Sequence, residues 1–444
     1  MTTFTRKIDA PLVSWKASVS RKPLVLLGAR QVGKTFALKQ FAATEFESLA
    51  YVDFSRDSDA AALFEDGISP SRLVSNLGIY LRMDIDPEKT LIVFDEVQLC
   101  ERALTSLKYF CDEAPEYCVV AAGSLLGVKI HRESYSFPVG KVDLLELHPM
   151  DFEEYLWARG EARLADAIRE AYARPASAFA LHERALSLVR EYEYNGGMPE
   201  VVAEFISSGA SGNTSIDRAQ KKQAEICVAY AADMVKYADE QDAPRILAAW
   251  NSLPRQLAKE NHKFQYKAIR SGARAAQYQT ALEWLSAAGI AERCLRVTDA
   301  EAPLATFAED ANFKLYGADT GLLASRFEAR PEDLAPADNK ASRFRGAIAE
   351  NYVHQQLRAS DSSVYYWGTA SRYEVEFLAR AKSGEVLPIE VKSGKNVRSV
   401  SLREFMSRYG IERAYRLSSR NFGVEGSIAS IPLYAAWLLG EELR

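Results

Sequence analysis

The chain has 444 residues, of which 26% are charged and 48% hydrophobic, as in ordinary globular proteins. This length is too great for one hydrophobic core and predicts roughly two to four domains. A net charge of −5 argues against a generally basic nucleic-acid coat, and five cysteines without a Cys-x-x-Cys pair argue against disulfides and structural zinc. The first residues form no apolar leader and no apolar run approaches about 18 residues, so we expect a cytoplasmic protein without a membrane segment.

In the first third of the chain, short apolar runs alternate with helical patterns. This alternation is typical of a parallel β-sheet with helices on both faces, so we predict an α/β domain over residues 1–150. The predicted strands are Leu24–Leu27, Leu49–Val52, Leu91–Phe94 and Cys118–Ala121.

A glycine-rich loop follows the first predicted strand and opens a predicted helix, Thr35–Gln40. It matches the pattern Gly-x-x-x-x-Gly-Lys-Ser/Thr completely, in the strand–loop–helix context that a phosphate-binding P-loop requires, and this context disfavours a chance glycine-rich turn. The backbone N–H groups would surround the phosphates of ATP, Lys34 would contact the β- and γ-phosphates, and Thr35 would bind Mg²⁺. The predicted nucleotide-binding residues of the loop are Gly28, Ala29, Arg30, Gln31, Val32, Gly33, Lys34 and Thr35.

Polar residues end three other predicted strands. Asp95 and Glu96 end the third strand, where Asp95 would hold Mg²⁺ through water and the catalytic residue Glu96 would orient or deprotonate the attacking water. Acids are also favoured at helix starts, but the upstream P-loop decides for the catalytic interpretation. Ser124 follows the fourth strand and is a candidate γ-phosphate sensor, although serine is also common where strands pass into loops. Asp53 ends the second strand and faces the same crevice, without an assigned role.

The pattern becomes helical and charged between Asp151 and Met234. A glycine-rich break, Asn195–Pro199, interrupts it. We predict a helical lid over residues 151–255.

A winged-helix segment is predicted over residues 256–327. Helical stretches precede two strand-like runs, Ile290–Val297 and Phe313–Tyr316, and in nucleic-acid binders the second helix, here Ala275–Ala287, enters the major groove. This helix is not strongly basic, so a packing module or a docking site for a protein partner is an equally open interpretation. The polar residues on or just before it are Arg270, Arg274, Gln277, Tyr278, Gln279 and Glu283.

After a proline-containing acidic segment, Glu328–Lys340, that resembles a linker, an α/β pattern resumes and predicts a domain over residues 341–444. Period-two geometry places Glu390 and Lys392 on one face of a predicted strand, and it places Glu376 and Glu374 on one face of another. A carboxylate pair of this kind can hold Mg²⁺ that polarises a phosphodiester, while Lys392 steadies the nucleophile or the transition-state charge.

Glu376, Glu390 and Lys392 are therefore candidate catalytic residues, with Glu376 and Glu390 as metal ligands. Glu350, in the predicted helix Gly346–Leu357, would supply a third metal ligand. A Glu-x-Lys pattern on a solvated strand is common, so this motif alone is weak evidence. The stretch Glu376–Arg420 is basic, with ten Lys/Arg against five Asp/Glu.

Six segments together carry a resemblance over nearly the whole chain: Gly28–Thr35, Phe94–Gln98, Gly123–Ser124, Leu147–Met150, Gly196–Glu200 and Asn312–Tyr316. In these the chain resembles bacterial and archaeal AAA-like ATPases fused to a C-terminal restriction-endonuclease-like domain. The resemblance implies an α/β P-loop ATPase that uses ATP and Mg²⁺, followed by a domain with a PD-(D/E)xK nuclease core.

The chain departs from this family in two places. The family usually has arginine where this chain has Lys141, and lysine contacts phosphate only as a point charge, so an arginine-finger role would pass to Arg132. Glu376 replaces the usual aspartate, and its extra methylene displaces the carboxylate that a Mg²⁺ site requires.

Two functional hypotheses follow. In the first, the P-loop domain controls a metal-dependent nuclease that acts on nucleic acid. In the second, the chain is an ATP-dependent switch whose nuclease-like domain only binds protein or DNA. AAA-like domains often need a cation from a neighbour, which is compatible with a homo-oligomer.

Overall fold

The computed structural model describes residues 3–57, 59–130, 137–259, 263–335, 343–369, 373–394 and 399–443. The chain divides into two compact units. The N-terminal unit comprises Thr5–His148 with Ala287–Gly289, and the C-terminal unit comprises Pro149–Ser286 and Ile290–Arg444 with the first four residues. Within the described ranges, no helix combines the length and the apolar character that crossing a membrane would require.

The N-terminal unit contains a five-stranded sheet in which every strand pair is parallel. The strands are β1 (Leu24–Leu27), β2 (Ser48–Asp53), β3 (Thr90–Asp95), β4 (Cys118–Ala122) and β5 (Asp143–Glu146). They pair in the order β2-β3-β4-β1-β5. The predicted parallel α/β fold is therefore confirmed, and the four predicted strands correspond to β1–β4. β5 was not predicted because it is a short, half-exposed edge strand without a continuous apolar run.

Helices cover this sheet and bury apolar residues at helical spacing. Leu104, Leu107 and Phe110 on α4 belong to the same buried cluster as Ile92 and Phe94 on β3. The helices are α1 (Asp9–Ala17), α2 (Lys34–Glu45), α3 (Pro70–Leu81), α4 (Glu101–Glu113) and α5 (Leu126–Ile130).

The C-terminal unit begins with a helical region, and six helices, α6–α11, cover most of the predicted lid. The segment predicted as a linker contains a described helical turn, α15. The helices are α6 (Phe152–Ala158), α7 (Ala162–Tyr172), α8 (His182–Asn195), α9 (Pro199–Ser207), α10 (Gly212–Tyr237), α11 (Ala243–Leu257), α12 (Tyr266–Ile269), α13 (Ala275–Ala287), α14 (Thr320–Arg326), α15 (Pro331–Leu334), α16 (Arg343–Arg358), α17 (Val400–Tyr409) and α18 (Ala436–Leu443).

An eight-stranded mixed sheet forms the rest of this unit. Its strands are β6 (Ala291–Val297), β7 (Ala308–Gly317), β8 (Val364–Gly368), β9 (Glu374–Arg380), β10 (Val386–Val391), β11 (Ala414–Ser418), β12 (Gly423–Glu425) and β13 (Ile428–Pro432). They pair in the order β12-β13-β11-β10-β9-β8-β6-β7. The pairs β6/β8, β10/β11 and β11/β13 are parallel, and the other pairs are antiparallel.

The segment predicted as a winged helix contains α12, α13 and the antiparallel hairpin β6/β7, in the predicted order. The hairpin is not free-standing, because β6 also pairs in parallel with β8. It therefore shares a sheet with strands of the predicted residue 341–444 domain. The sequence predicted the local elements, whereas strand partners far apart in the chain are decided by tertiary packing. The winged-helix assignment itself stays a prediction.

Candidate functional site

The predicted P-loop lies between β1 and α2, and its backbone has the conformations that the loop pattern requires. Gly28 and Gly33 have φ angles of +138° and +101°, in a region that side chains disfavour. A Cβ atom at Gly28 would lie 2.3 Å from the carbonyl oxygen of Leu147, so a side chain cannot fit there without movement of the backbone. Gly33 also caps the N-terminus of α2, where backbone N–H groups and the helix dipole favour phosphate.

The buried Arg6 guanidinium holds this loop from behind. Its Nη1 donates to the carbonyl oxygen of Val32 at 3.0 Å, and its Nη2 donates to that of His148 at 2.8 Å. Arg6 therefore ties the loop to the segment that follows β5. It was not predicted, because a single arginine near the N-terminus carries no motif.

Lys34 is buried at the start of α2. Its Nζ donates to the carbonyl oxygens of Gly28 and Ala29 at 2.7 and 2.8 Å. Burial lowers the pKa of Lys34 to about 8, although the carboxylates of Glu96 and Asp95 oppose this shift. The ammonium group is thus held over the loop, near both predicted acidic residues.

Three donors fix the carboxylate of Asp95. The hydroxyls of Thr35 and Tyr51 each donate to Oδ2 at 2.6 Å, and the backbone N–H of Glu96 donates to Oδ1 at 2.9 Å. Burial and the Asp95 carboxylate raise the pKa of the Tyr51 hydroxyl, which remains a donor. A hydroxyl and a carboxylate beside a P-loop are the hard oxygen ligands that Mg²⁺ prefers, so Thr35 and Asp95 fit the predicted metal role.

Glu96 follows β3 with a left-handed backbone, φ +51°. Its Oε2 accepts hydrogen bonds from the side-chain amide of Gln98 and, at 3.3 Å, from the hydroxyl of Ser124. The predicted base and the predicted sensor are therefore adjacent. Gln98 fits tightly, because a Cβ atom at Gly123 would lie 2.1 Å from its Oε1.

Two other predicted residues of the N-terminal unit, Asp53 and Lys141, make their contacts outside this cluster. Asp53 accepts hydrogen bonds from the backbone N–H and hydroxyl of Ser55, so it organises the turn after β2. Lys141 is exposed and forms an ion pair with Asp112. Arg132 lies outside the described residues.

A second cluster of charged residues lies in the C-terminal unit, on one side of β9 and β10. Lys392 Nζ lies 3.0 Å from an oxygen of Glu376 and 3.5 Å from an oxygen of Glu390. The predicted pairing of these three residues is therefore present. Ser399 donates to Glu390, and burial raises the pKa of Glu390.

Glu350 is placed differently from the prediction. Its Oε1 accepts hydrogen bonds from Lys314, at 2.7 Å, and from the hydroxyl of Tyr316. Within the described ranges, its carboxylate forms no group with those of Glu376 and Glu390 in which the three ligand oxygens lie within 4.8 Å of one another. Glu350 is thus paired with a buried lysine, and its role as a third metal ligand stays a prediction.

The predicted recognition helix corresponds to α13. Tyr278, Leu282 and Leu285 on α13 are buried, whereas Gln277 and Gln279 are exposed. Its outward surface is therefore polar but not cationic, and both interpretations of this segment stay open.

Sequence reasoning missed four residues that these sites use: Arg6, Tyr51, Gln98 and Lys314. Gln98 and Lys314 lie within segments that carry the family resemblance, so that resemblance was the one available signal for them. Tyr51 lies in a predicted strand, where an aromatic residue is read as core.

Three family models match separate parts of the chain. Residues 20–156 match the AAA domain, residues 186–333 match a domain of unknown function (DUF8612), and residues 345–435 match a domain of unknown function (DUF4143). No curated protein matches the chain significantly.

Several solved structures resemble the chain weakly. A Walker-type ATPase of Pyrococcus abyssi is 16% identical, with a TM-score of 0.47, and the match covers 73% of this chain and 96% of that chain. The ORC2 protein of Aeropyrum pernix, in ADPNP-ADP complexes, is 11% identical, with a TM-score of 0.38 and coverage of 74% and 95%. The ORC1 protein of the same organism, in complex with DNA, is 13% identical, with a TM-score of 0.28 and coverage of 74% and 93%. These similarities are too weak to support a conclusion about function.

The AAA-domain match and the P-loop geometry agree on the same segment of the chain. The N-terminal unit carries a P-loop ATPase domain of the AAA type.

Proposed function

We propose that the chain binds ATP together with Mg²⁺ and hydrolyses it in the N-terminal unit. One observation carries this proposal: Lys34 and Thr35, at the start of α2, lie beside Asp95 and Glu96, at the end of β3. Lys34 and the N-terminus of α2 would bind the phosphates. Thr35 and Asp95 would hold Mg²⁺, which when bound supplies positive charge against the charge that develops on the transferred phosphoryl group.

Glu96 is the proposed catalytic base. Its carboxylate would accept the proton of the attacking water, and the donors of Gln98 and Ser124 keep it in place. Because Ser124 contacts Glu96 and also follows β4, it is positioned to connect the base with the phosphate end of the nucleotide.

A pair of variants tests this assignment. Lys34→Ala should abolish binding in a fluorescent-nucleotide titration, because the phosphates lose the ammonium group of the loop. Glu96→Gln should bind ATP like the parent protein but lose about 100-fold or more of its steady-state phosphate release, because an amide cannot take the proton. Retained hydrolysis in Glu96→Gln would assign the base to another residue, and unchanged affinity in Lys34→Ala would contradict the P-loop assignment.

For the C-terminal unit, we propose a nuclease-like binding module that contacts nucleic acid. The basic stretch Glu376–Arg420 supports a nucleic-acid partner, since neutralised phosphates supply most nonspecific affinity. Arg380, Lys382 and Arg408 in this stretch are exposed. Lys392 contacts both Glu376 and Glu390, an arrangement that a binding module and a nuclease centre can share.

Cleavage is the alternative, and one assay separates the two. Full-length protein is incubated with labelled single- and double-stranded DNA and RNA, with Mg²⁺ or Mn²⁺, with and without ATP. Binding that weakens as salt rises, without cleavage, supports the module. Metal-dependent cleavage that disappears in Glu390→Ala, while ATP hydrolysis survives, would establish the nuclease instead.

Assembly into a homo-oligomer is proposed because AAA-type sites often use a neighbour's cation, and the Lys141 side chain in the N-terminal unit is 40% exposed. Light scattering with and without ATP measures the oligomeric state directly. A monomer under both conditions would contradict this part of the proposal.

A further inference from the structure

Lys314 has an unusual position for a lysine. It lies in the middle of β7 and its exposure is 0%. Lysine is almost never fully buried without a partner, because removing an ammonium group from water costs several kcal/mol. Its surroundings must therefore compensate its charge.

Two carboxylates provide this compensation. Lys314 Nζ lies 2.7 Å from an oxygen of Glu350 and 2.7 Å from an oxygen of Glu374. Glu350 reaches it from α16 and Glu374 from β9, two elements far from β7 in the chain. The hydroxyl of Tyr316 donates to the same Glu350 oxygen. Lys314 is thus the point on which two acidic side chains converge.

The aromatic ring of Tyr366 covers the ammonium group from β8, with its centroid 5.1 Å from Nζ. The Tyr366 hydroxyl is buried and has no hydrogen-bond partner among the described residues. Tyr366 therefore adds a cation–π contact to the two carboxylates around Nζ.

A second lysine, Lys392, compensates the charge of two neighbouring glutamates. Lys392 contacts Glu376 and Glu390, the two predicted metal ligands of the nuclease-like motif. The four carboxylates therefore form two pairs. Glu350 and Glu374 contact Lys314, whereas Glu376 and Glu390 contact Lys392. This division differs from a shared metal centre, in which the acids converge on one ion.

We infer that the ammonium group of Lys314 takes the place of a divalent cation in this cluster, so that the C-terminal unit binds such a cation only when Lys314 is removed. The two carboxylate oxygens that meet at Nζ are hard ligands of the kind that Mg²⁺ or Mn²⁺ prefers, and water can fill the remaining coordination positions. Removal of Lys314 takes away the ammonium group on which the oxygens of Glu350 and Glu374 converge. This inference concerns the C-terminal unit and does not depend on ATP hydrolysis.

The test uses Mn²⁺ titration of full-length protein, followed by electron paramagnetic resonance and by the thermal unfolding midpoint. All proteins carry Asp95→Asn and are free of nucleotide, which removes the proposed metal ligand of the ATP site. Lys314→Met keeps the length of the side chain but removes its charge. The matched control adds Glu350→Gln and Glu374→Gln to Lys314→Met, which removes the acids as well.

Lys314→Met should bind one Mn²⁺ per chain at least about tenfold more tightly than the parent, and Mn²⁺ should raise its unfolding midpoint. The control should fold without Mn²⁺ and gain no affinity. A folded Lys314→Met without increased affinity would overturn the inference. If Lys314→Met does not fold, the inference is tested by Mn²⁺ titration of the parent protein. The inference is overturned if the parent binds Mn²⁺ and Glu390→Gln or Glu376→Gln weakens this binding. It is supported if the parent has no such Mn²⁺ site.

Discussion

At the scale of single residues, the proposed ATP site is organised around Asp95. Thr35, Tyr51 and the backbone of Glu96 all donate to its carboxylate, so its orientation is set by the protein itself. Tyr51 is the unexpected member of this group. It also lies beneath the ammonium group of Lys39, 4.4 Å from the ring centroid.

Tyr51→Phe tests whether this hydroxyl positions Asp95. The variant keeps the ring but removes one donor to a charged acceptor, a contact worth about 1.5 to 3 kcal/mol when buried. We expect the Mg²⁺ concentration for half-maximal ATP hydrolysis to rise about three- to tenfold, while nucleotide affinity stays unchanged.

Tyr80→Phe is the matched control for this variant. The Tyr80 hydroxyl donates to Asp57 on the surface, away from the site, so its removal should not change the Mg²⁺ dependence. Equal Mg²⁺ dependence in all three proteins would reduce Tyr51 to a packing residue.

At the scale of elements, the function of the P-loop depends on its backbone. Gly28 combines a positive φ with the close approach of the Leu147 carbonyl oxygen. A side chain there would be strained by its backbone angles, at about 1 to 3 kcal/mol, and would also displace the segment after β5.

Gly28→Ala should therefore weaken nucleotide binding at least about tenfold, because the loop N–H groups would move away from the phosphates. A fluorescent-nucleotide titration measures this loss, and circular dichroism checks the fold. Gly346→Ala is the control: Gly346 lies in helix α16, where a Cβ atom would meet nothing within 4 Å. Unchanged affinity in Gly28→Ala would show that the loop adapts to a side chain.

Helix α16 was predicted as an element, whereas the buried partners of its polar side chains were not predicted. Its polar residues point into the C-terminal unit and are matched by hydrogen bonds. The side-chain oxygen of Asn351 accepts from the backbone N–H of Gly317 at 2.8 Å, and the amide of Gln355 donates to the hydroxyl of Tyr192 at 2.8 Å. Glu350 belongs to this buried set, so it acts first as a partner of Lys314 in the folded structure.

At the scale of the whole molecule, buried titratable groups link stability to pH. Burial raises the pKa of Glu193, on α8, from 4.5 to about 7, and Arg190 and Arg345 oppose the shift. Between these two values the folded chain binds more protons than the unfolded chain. The contribution of Glu193 to stability is therefore complete below about pH 4.5 and is lost as the pH rises to about 7.

Glu193→Gln should remove this dependence. The difference between the folded and unfolded pKa of Glu193 changes the free energy of unfolding by about 3 kcal/mol at most. We expect the thermal midpoint of Glu193→Gln to exceed that of the parent at pH 8 and to equal it near pH 4.5. Glu170→Gln, at an exposed position of the same unit, should follow the parent at both pH values. A parallel pH dependence of Glu193→Gln and the parent would show that Glu193 does not titrate in this range.

The sequence by itself predicted the P-loop, the acidic pair after β3 and four strands of the parallel sheet, but not β5 or the contacts of Arg6, Tyr51 and Gln98. The P-loop is contiguous, so its eight residues share one loop wherever the chain folds around them, and parallel strands with long apolar runs can be recognised singly. Asp95, Glu96 and Ser124 could be placed because the carboxyl ends of parallel strands meet at one edge of a sheet.

Only the tertiary structure decided which distant groups meet. Nothing local pairs Lys314 on β7 with Glu350 on α16, or β6 with β8, because these contacts join segments tens of residues apart. The same applies to Arg6 and the P-loop. A motif specifies the side chains in one stretch of the chain. The partners that neutralise a buried charge come from other stretches and depend on tertiary packing. These partners decide whether a group of carboxylates is a metal site or is compensated by lysine.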